Sequence, residues 1–264
     1  MKKEIIERIL AETEKGYDMV ADKFSETRNH FWPDLKFIKD YAKTGDKVLD
    51  FGSGNSRILE LFSDKPIEYI GADISQNLVN IASKKFAGNV KFMKITSCNN
   101  LPFPEDYFNV VYAIAVFHHI PSRELRLKMA TELHRVTKPG GHIIVTAWNL
   151  WQLEHIGKII KNWMRKIFGA SPPPHQFKGD YAKNSFIKKI KCKLIKLLFG
   201  ENWCGGEDWN DCYIPFEKDN KNIFQRYHHA FGKNELKKIF SEAGFTAENC
   251  EIINNKNIVF VGKK

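Results

Sequence analysis

The sequence predicts an α/β fold built on one mostly parallel sheet of seven strands, and three observations carry that reading. Short apolar runs alternate with helical periodicity at β-α-β spacing from Lys47 onward. One of them, Asn109–Val116, is apolar almost throughout, as befits a central parallel strand covered on both faces. The first of them ends in Asp50-Phe-Gly-Ser-Gly54, where two glycines let the chain turn sharply into a helix and admit a ligand onto the main chain.

Taken in order, residues 2–25 have a helical apolar stripe through Ile5, Ile6, Ile9 and Leu10, then Tyr17, Val20 and Phe24, with Gly16 expected to divide it. A polar-aromatic link (Arg28, His30, Phe31, Trp32) leads to a helix at Asp34–Tyr41. Strand Lys47–Phe51, helix Ser56–Phe62, strand Glu68–Asp73, helix Ser75–Phe86 and strand Val90–Ile95 follow, with Ser75 as an N-cap. A proline-held loop at 100–108 precedes the strand 109–116, which delivers Phe117-His118-His119 to the carboxyl edge of the sheet. Helix Arg123–Val136, a Lys138-Pro-Gly-Gly141 turn and strand His142–Thr146 bring Trp148 to the same edge. Residues 151–223 break the pattern with expected amphipathic helices at 157–168 and 185–199 and a Gly-rich loop at 203–209. Phe224–Phe231 reads as an aromatic, cationic strand or loop. A helix at Asn234–Ala243 stops at Gly244, and strands 245–253 and 257–262 close the sheet. The expected organisation is an N-terminal cap (1–46), a ligand-binding core (47–150), a basic insertion for substrate recognition (151–223) and the end of the core sheet (224–264).

The 264 residues suffice for one large domain with an insertion, and 43% hydrophobic content supports a full core. No apolar run reaches the length of a membrane span, and the charged start lacks a signal core. The five cysteines form no CxxC pair, which points to free thiols and a cytoplasmic protein without stable membrane insertion. Of the net charge of +10, residues 151–200 hold +9 (ten Lys and one Arg against Glu154 and Asp180). Such a field favours a polyanion, nucleic acid first; a lysine-rich solvated helix face is the plainer alternative.

The loop chemistry narrows the ligand. Position 57, where a dinucleotide site has its third glycine, is Arg57, so a pyrophosphate is not supported. Asp50 before the loop would repel phosphate but suits an ammonium group. Asp73, at the end of the next strand, stands where an acid takes both ribose hydroxyls. An adenosine with an amino-acid tail satisfies the set, which is S-adenosylmethionine.

Methyl transfer from a sulfonium needs an aligned nucleophile, and a base only if that nucleophile carries a proton. There is no Pro-Cys loop for attack on a pyrimidine and no Asn/Asp-Pro-Pro-Tyr segment for an amino group. A carboxylate acceptor needs no base; for an alcohol or phenol, His119 is the candidate. His118 and His119, as neighbours, are expected to point apart, and no Cys, Asp or Glu completes a ligand set, so no metal is expected.

Asp50–Gly54, Asp73, Leu101-Pro-Phe103 and Pro139-Gly-Gly141 resemble the Rossmann-like class I S-adenosylmethionine-dependent methyltransferases over roughly residues 17–150 and 232–262. Tyr17–Pro33, Ile114–His119 with Arg123-Glu124, Val145–Trp148 and Arg226–Phe231 with Glu235-Leu236 are similar to the tRNA wobble-uridine carboxymethyl methyltransferases, the AlkB-like tRNA methyltransferase family. The resemblance implies methyl esterification of a 5-carboxymethyl group on uridine 34 of tRNA, with a small zinc-binding activator subunit as a frequent partner. It implies Arg28 and His119 as catalytic candidates, with Trp32, Trp148, Arg226 and Tyr227 on the substrate side. Cofactor contacts are expected from Asp50, Gly52, Gly54, Asp73, Ile74 and Ala113. Ser97-Cys98 stand where the family has an acid facing adenine, and they join that set. The rival readings are a small-molecule O-methyltransferase for a phenolic or lipid-like acceptor and a non-catalytic module that binds cofactor and tRNA.

Overall fold

The computed structural model describes residues 1–86, 90–97, 100–168, 176–177, 207–219 and 222–264. The expected seven-stranded sheet is present. Its strands are β1 (Lys47–Phe51), β2 (Glu68–Asp73), β3 (Val90–Lys94), β4 (Phe108–Ile114), β5 (Thr137–Trp148), β9 (Thr246–Ile253) and β10 (Asn257–Lys263). The spatial order is β3-β2-β1-β4-β5-β10-β9; β10 runs antiparallel to both its neighbours, and the other pairings are parallel. From β1 the chain winds outward through β2 to β3 and then crosses back to β4, on the other side of β1. The crevice above β1 and β4 is therefore the switch point where ligands of open α/β sheets lie.

Two apolar layers cover the sheet. Leu49, Val111, Ile143 and Phe260 face α3 (Arg123–Val136) and α5 (Lys233–Glu242) through Leu133 and Phe240. Val48, Val110, Ile144 and Val259 face the 3₁₀ segments 33–41 and 57–62 through Leu35, Ile38 and Leu61. Neighbouring strand residues point to opposite faces, so these β-branched runs are apolar throughout. The Lys138-Pro-Gly-Gly141 segment lies inside β5, where the pairing with β4 shifts register and Gly140 takes φ +77°.

Two expectations are corrected here. Gly16 does not divide the first helix; α1 runs unbroken from Lys3 to Glu26. A Cβ at Gly16 would lie 2.2 Å from the Phe224 ring, so the missing side chain serves close approach rather than a break. Residues 224–229 also do not belong to the core sheet. They form β8 (Asn222–His229), which pairs with β7 (Asp211–Glu217) and the short β6 (Gln176–Phe177) in a separate three-stranded antiparallel sheet. β7 supplies the partner edge within hairpin reach, so β8 needs none from the core.

Across α1, this small sheet is tied to the core. Asp18 accepts from Ser75 Oγ (2.6 Å) and the Asn77 amide at the start of α2 (Gln76–Lys85). Lys94 pairs with Glu14 at 2.6 Å. α1 thus forms a roof over the carboxyl ends of β1, β2 and β4, with β8 beside it. The first expected basic helix is present as α4 (Leu153–Phe168). The second, at 185–199, lies outside the described residues. No described helix is long and apolar enough to cross a membrane.

Candidate active site

A cavity of about 410 Å³ opens at the switch point, enclosed by the β1 loop, the ends of β2 and β4, α1 and β8. That size suits a small organic ligand. Its floor is the glycine loop. Gly52 and Gly54 take φ +73° and +56°, and a Cβ on Gly52 would stand 2.3 Å from Val116 Cγ2. The loop therefore needs glycine both for its turn and for its closeness to β4.

Two buried carboxylates flank this loop. Asp73 accepts from the Gly54 amide (2.8 Å) on one oxygen and the Ser75 amide (2.9 Å) on the other. Each oxygen keeps a further lone pair, as a pair of ribose hydroxyls requires. Burial nevertheless raises the Asp73 pKa above the ordinary range. Asp50 is 3% exposed and accepts a 2.6 Å hydrogen bond from Tyr69. Burial pushes its pKa up to about 7, against the pull of that hydrogen bond. A buried acid with one neutral donor is a natural seat for an ammonium group. The loop, Asp50 and Asp73 thus fit S-adenosylmethionine at its amino-acid and ribose ends.

Of the other cofactor candidates, Ile74 lines the cavity. Ala113 does not: it packs in the core layer, and Ile114, Ala115 and Val116 form that wall. Strand alternation turns Ala113 toward α3. At the end of β3 the wall is Ile95 and Thr96; Ser97 is outside the lining, and Cys98 lies outside the described residues.

Of the residues expected on the substrate side, Arg28, Trp32, His119, Trp148 and Arg226 line the cavity. Arg57 places its guanidinium 3.6 Å over the Trp32 ring, and burial lowers its pKa to about 10. Tyr227 is the exception. Alternation along β8 sends Arg226 and His228 to the cavity side and Tyr227 to the opposite face, where it is buried against Ile9 and Tyr213. Its contribution to the site is its carbonyl, which accepts from His119 Nδ1 at 2.8 Å.

Two arginines set the electrostatics of this wall. Arg226 is 5% exposed, and Arg28 is part-buried near the end of α1. Both lie against the Phe216 ring, at 5.0 Å for Arg28 and 5.1 Å for Arg226, and Arg226 also lies 5.3 Å from the Trp148 ring. Neither pairs with a carboxylate among the described residues, and Arg226 Nε has no partner. Burial, then the neighbouring Arg226 charge, lowers the pKa of Arg28. Two uncompensated cations in a half-buried wall call for an anion.

His118 and His119 converge rather than diverge. They sit on a 3₁₀ turn (117–119), not an extended strand, and their ring centroids are 4.4 Å apart. His228 of β8 joins them, stacked on His118 at 5.0 Å and on Trp148 at 5.3 Å. Potential ligand atoms of the three lie within 4.8 Å of one another. Burial drives the pKa of His118 and His228 well below the usual value, with the neighbouring histidines and the Arg226 charge adding to it, so both rings are neutral. The Trp148 amide also points at His118 Nδ1 (3.4 Å), which sets the proton of that ring on Nε2.

Tyr17, which lines the cavity, and Phe216 and His228, which pack against its lining residues, carry no site signal in the sequence. Tyr17 looks like one more apolar position of the α1 stripe. Phe216 lies in a stretch with no distinctive pattern. His228 declares itself only once β8 is known to pack on the 117–119 turn.

Residues 49–145, from β1 to near the end of β5, match the family described as methyltransferase domain. A fission-yeast (Schizosaccharomyces pombe) relative named tRNA (carboxymethyluridine(34)-5-O)-methyltransferase is 29% identical over 91% of this chain and 94% of its own length. An Arabidopsis thaliana protein of the same name is 36% identical over 50% of this chain, which spans 31% of that relative's length. The chain likewise spans only 33% of a human relative named probable tRNA methyltransferase 9B. Among solved structures, an S-adenosylmethionine-dependent methyltransferase of Methanosarcina mazei superposes with a TM-score of 0.61 at 18% identity, covering 89% of this chain and 98% of that one. A Haloferax volcanii methyltransferase, solved in complex with its Trm112 activator, superposes at 0.60 and 15% identity, covering 95% and 96%. The methyltransferase-domain match falls on the strands that build the glycine loop and its two acids, and the seven-stranded fold is similar to that of solved S-adenosylmethionine-dependent methyltransferases.

Proposed function

We propose that the protein is an S-adenosylmethionine-dependent methyltransferase that esterifies the carboxylate of 5-carboxymethyluridine at the wobble position (34) of tRNA. The observation that carries the reading is the pair Arg28 and Arg226, which face the cofactor cavity without a carboxylate partner among the described residues. Relatives whose names specify that reaction, one matched along nearly its full length, support it.

Bound S-adenosylmethionine supplies a methyl group on a positively charged sulfur, open to attack from the side opposite that sulfur. In this reading Arg28 and Arg226 hold the acceptor carboxylate and aim one of its oxygens, while Trp32 and Trp148 flank the base. The carboxylate is ionised at neutral pH, so the forming oxygen–methyl bond releases no proton. Esterification removes the negative charge, so the arginines hold substrate more tightly than product, which favours release. Their part is orientation more than transition-state binding, because the charge they grip fades during transfer.

The lysine excess within 151–200 fits a phosphate backbone. A small activator protein is part of the proposal, as is a cytoplasmic setting. The second reading, methylation of a small aromatic acid, is favoured by the aromatic wall of Phe24, Phe31, Trp32 and Trp148.

The deciding experiment is methyl transfer from labelled S-adenosylmethionine to total tRNA from cells lacking the enzyme, followed by nucleoside mass spectrometry. A methyl ester on 5-carboxymethyluridine that vanishes with Asp50→Ala is expected. Absence of that ester, both with purified protein and in native extract, would overturn the tRNA reading.

A further inference from the structure

We propose that His119 is a positioning residue rather than a base, and that it acts through Tyr17, whose hydroxyl sets the Arg226 guanidinium for an anionic acceptor. The inference rests on the carboxylate reading for the identity of the acceptor, and on the Tyr17–His119 and His119–Tyr227 hydrogen bonds, with Arg226 in the same cavity, for the relay.

The direction of each hydrogen bond is fixed by what its partner can do. The Tyr227 carbonyl only accepts, so His119 Nδ1, 2.8 Å away, must carry a proton. A neutral imidazole with Nδ1 protonated has only a lone pair at Nε2. Tyr17 Oη lies 2.8 Å from that Nε2, so Tyr17 must donate. Its oxygen is then left with acceptor capacity alone. Arg226, which can only donate, lines the same cavity as Tyr17, and its positive charge acts on this hydroxyl. The order is Tyr227 carbonyl, His119, Tyr17, Arg226, with every proton directed toward the Tyr227 end.

Two consequences follow for the site. The lone pair that a general base would use is already taken by Tyr17, and the surroundings keep the ring neutral. The groups facing it are Tyr17 from α1, Arg28 beyond the end of α1, His118 beside it, and Arg226 and His228 from β8. None is an acid. Arg226, in turn, is oriented by a neutral hydroxyl and two aromatic rings, Trp148 and Phe216, so its charge stays unspent until an anion enters. A carboxylate acceptor needs that arrangement and needs no base.

The test separates the relay from the substrate. Nitrogen NMR of the protein with labelled histidine should show His119 neutral at pH 7, with its proton on Nδ1. Its Nε2 resonance should move toward an unbonded position in Tyr17→Phe, a variant that keeps the ring packed on Phe24 and Phe224. With tRNA bearing 5-carboxymethyluridine, Tyr17→Phe should raise KM for the tRNA about tenfold and lower kcat less than threefold. The cofactor dissociation constant should not change, and wild-type kcat should be level between pH 6 and 9. A His119 proton on Nε2, a charged ring, or a kcat that falls with one protonation near pH 6.5 would overturn the relay. Failure of wild type to methylate that tRNA would instead sink the substrate reading, with the NMR result still deciding the relay.

Discussion

Arg28 and Arg226, brought together from the end of α1 and from β8, meet on the Phe216 ring with guanidinium carbons 5.0 and 5.1 Å from its centroid. Like charges are brought this close, without an acid between them among the described residues, and in the proposed function the ligand supplies the missing anion. Arg226→Met is expected to raise KM for the tRNA on the order of 10- to 100-fold, as for loss of a charged hydrogen-bonding partner. Arg226→Lys should recover part of this, because a point charge replaces a fork. Calorimetric titration with S-adenosylhomocysteine should be unaffected by either change; a loss of cofactor binding would contradict the division of the cavity into two halves.

The buried Asp50 makes cofactor binding depend on pH. Its pKa stands at about 7 instead of 3.8 because burial disfavours the ionised form. In the proposed binding mode the cofactor's ammonium group pairs with that ionised form. Affinity should therefore weaken as pH falls below about 7, by up to tenfold per unit at the limit. Asp50→Asn should bind weakly at every pH and abolish the slope, as read by calorimetry from pH 5 to 8.

The same acid taxes stability, in the opposite direction. A raised folded-state pKa means the ionised group costs free energy in the fold. That cost is absent below about pH 4, grows as pH rises, and is complete above about 7. Asp50→Asn should thus raise Tm at pH 8 and leave it unchanged at pH 4. An equal effect at both values would show that Asp50 is ionised at no cost.

Gly52→Ala puts a Cβ 2.3 Å from Val116 on a residue held at φ +73°. The loop must shift, and a positive φ costs a non-glycine residue about 1–2 kcal/mol. Cofactor affinity should fall by more than about 100-fold while Tm drops by only a few degrees, about what a cost of that size produces. The pair of measurements separates loss of the loop from loss of the fold.

Gly16→Ala tests the roof. Helix propensity alone favours alanine by about 1 kcal/mol. The Phe224 ring 2.2 Å from the new Cβ makes it an overpacking change, with an expected cost of about 1–3 kcal/mol. A lower Tm with raised KM for the tRNA is expected, since α1 and β8 carry Tyr17 and Arg226; a stabilised protein would refute the close contact.

By itself the sequence determined the core sheet, the glycine loop, Asp50, Asp73 and the concentration of lysine in 151–200, because each is written in local pattern: strand alternation, obligatory glycine, an acid at a strand end. Through their likeness to a family it also singled out Arg28, Trp32, His119, Trp148 and Arg226, all of which line the cavity. Tertiary structure alone decided which of these face one another. Gly16 read as a helix break because its partner Phe224 is more than two hundred residues away. Tyr227 seemed equivalent to Arg226 until β8 paired with β7 and alternation sent the two to opposite faces. Tyr17 and Phe216 were silent because an aromatic residue in an amphipathic stripe looks the same whether it faces core or ligand. Direction in space, and with it the proton order from His119 to Arg226, follows from contacts distant in sequence, which no local pattern encodes.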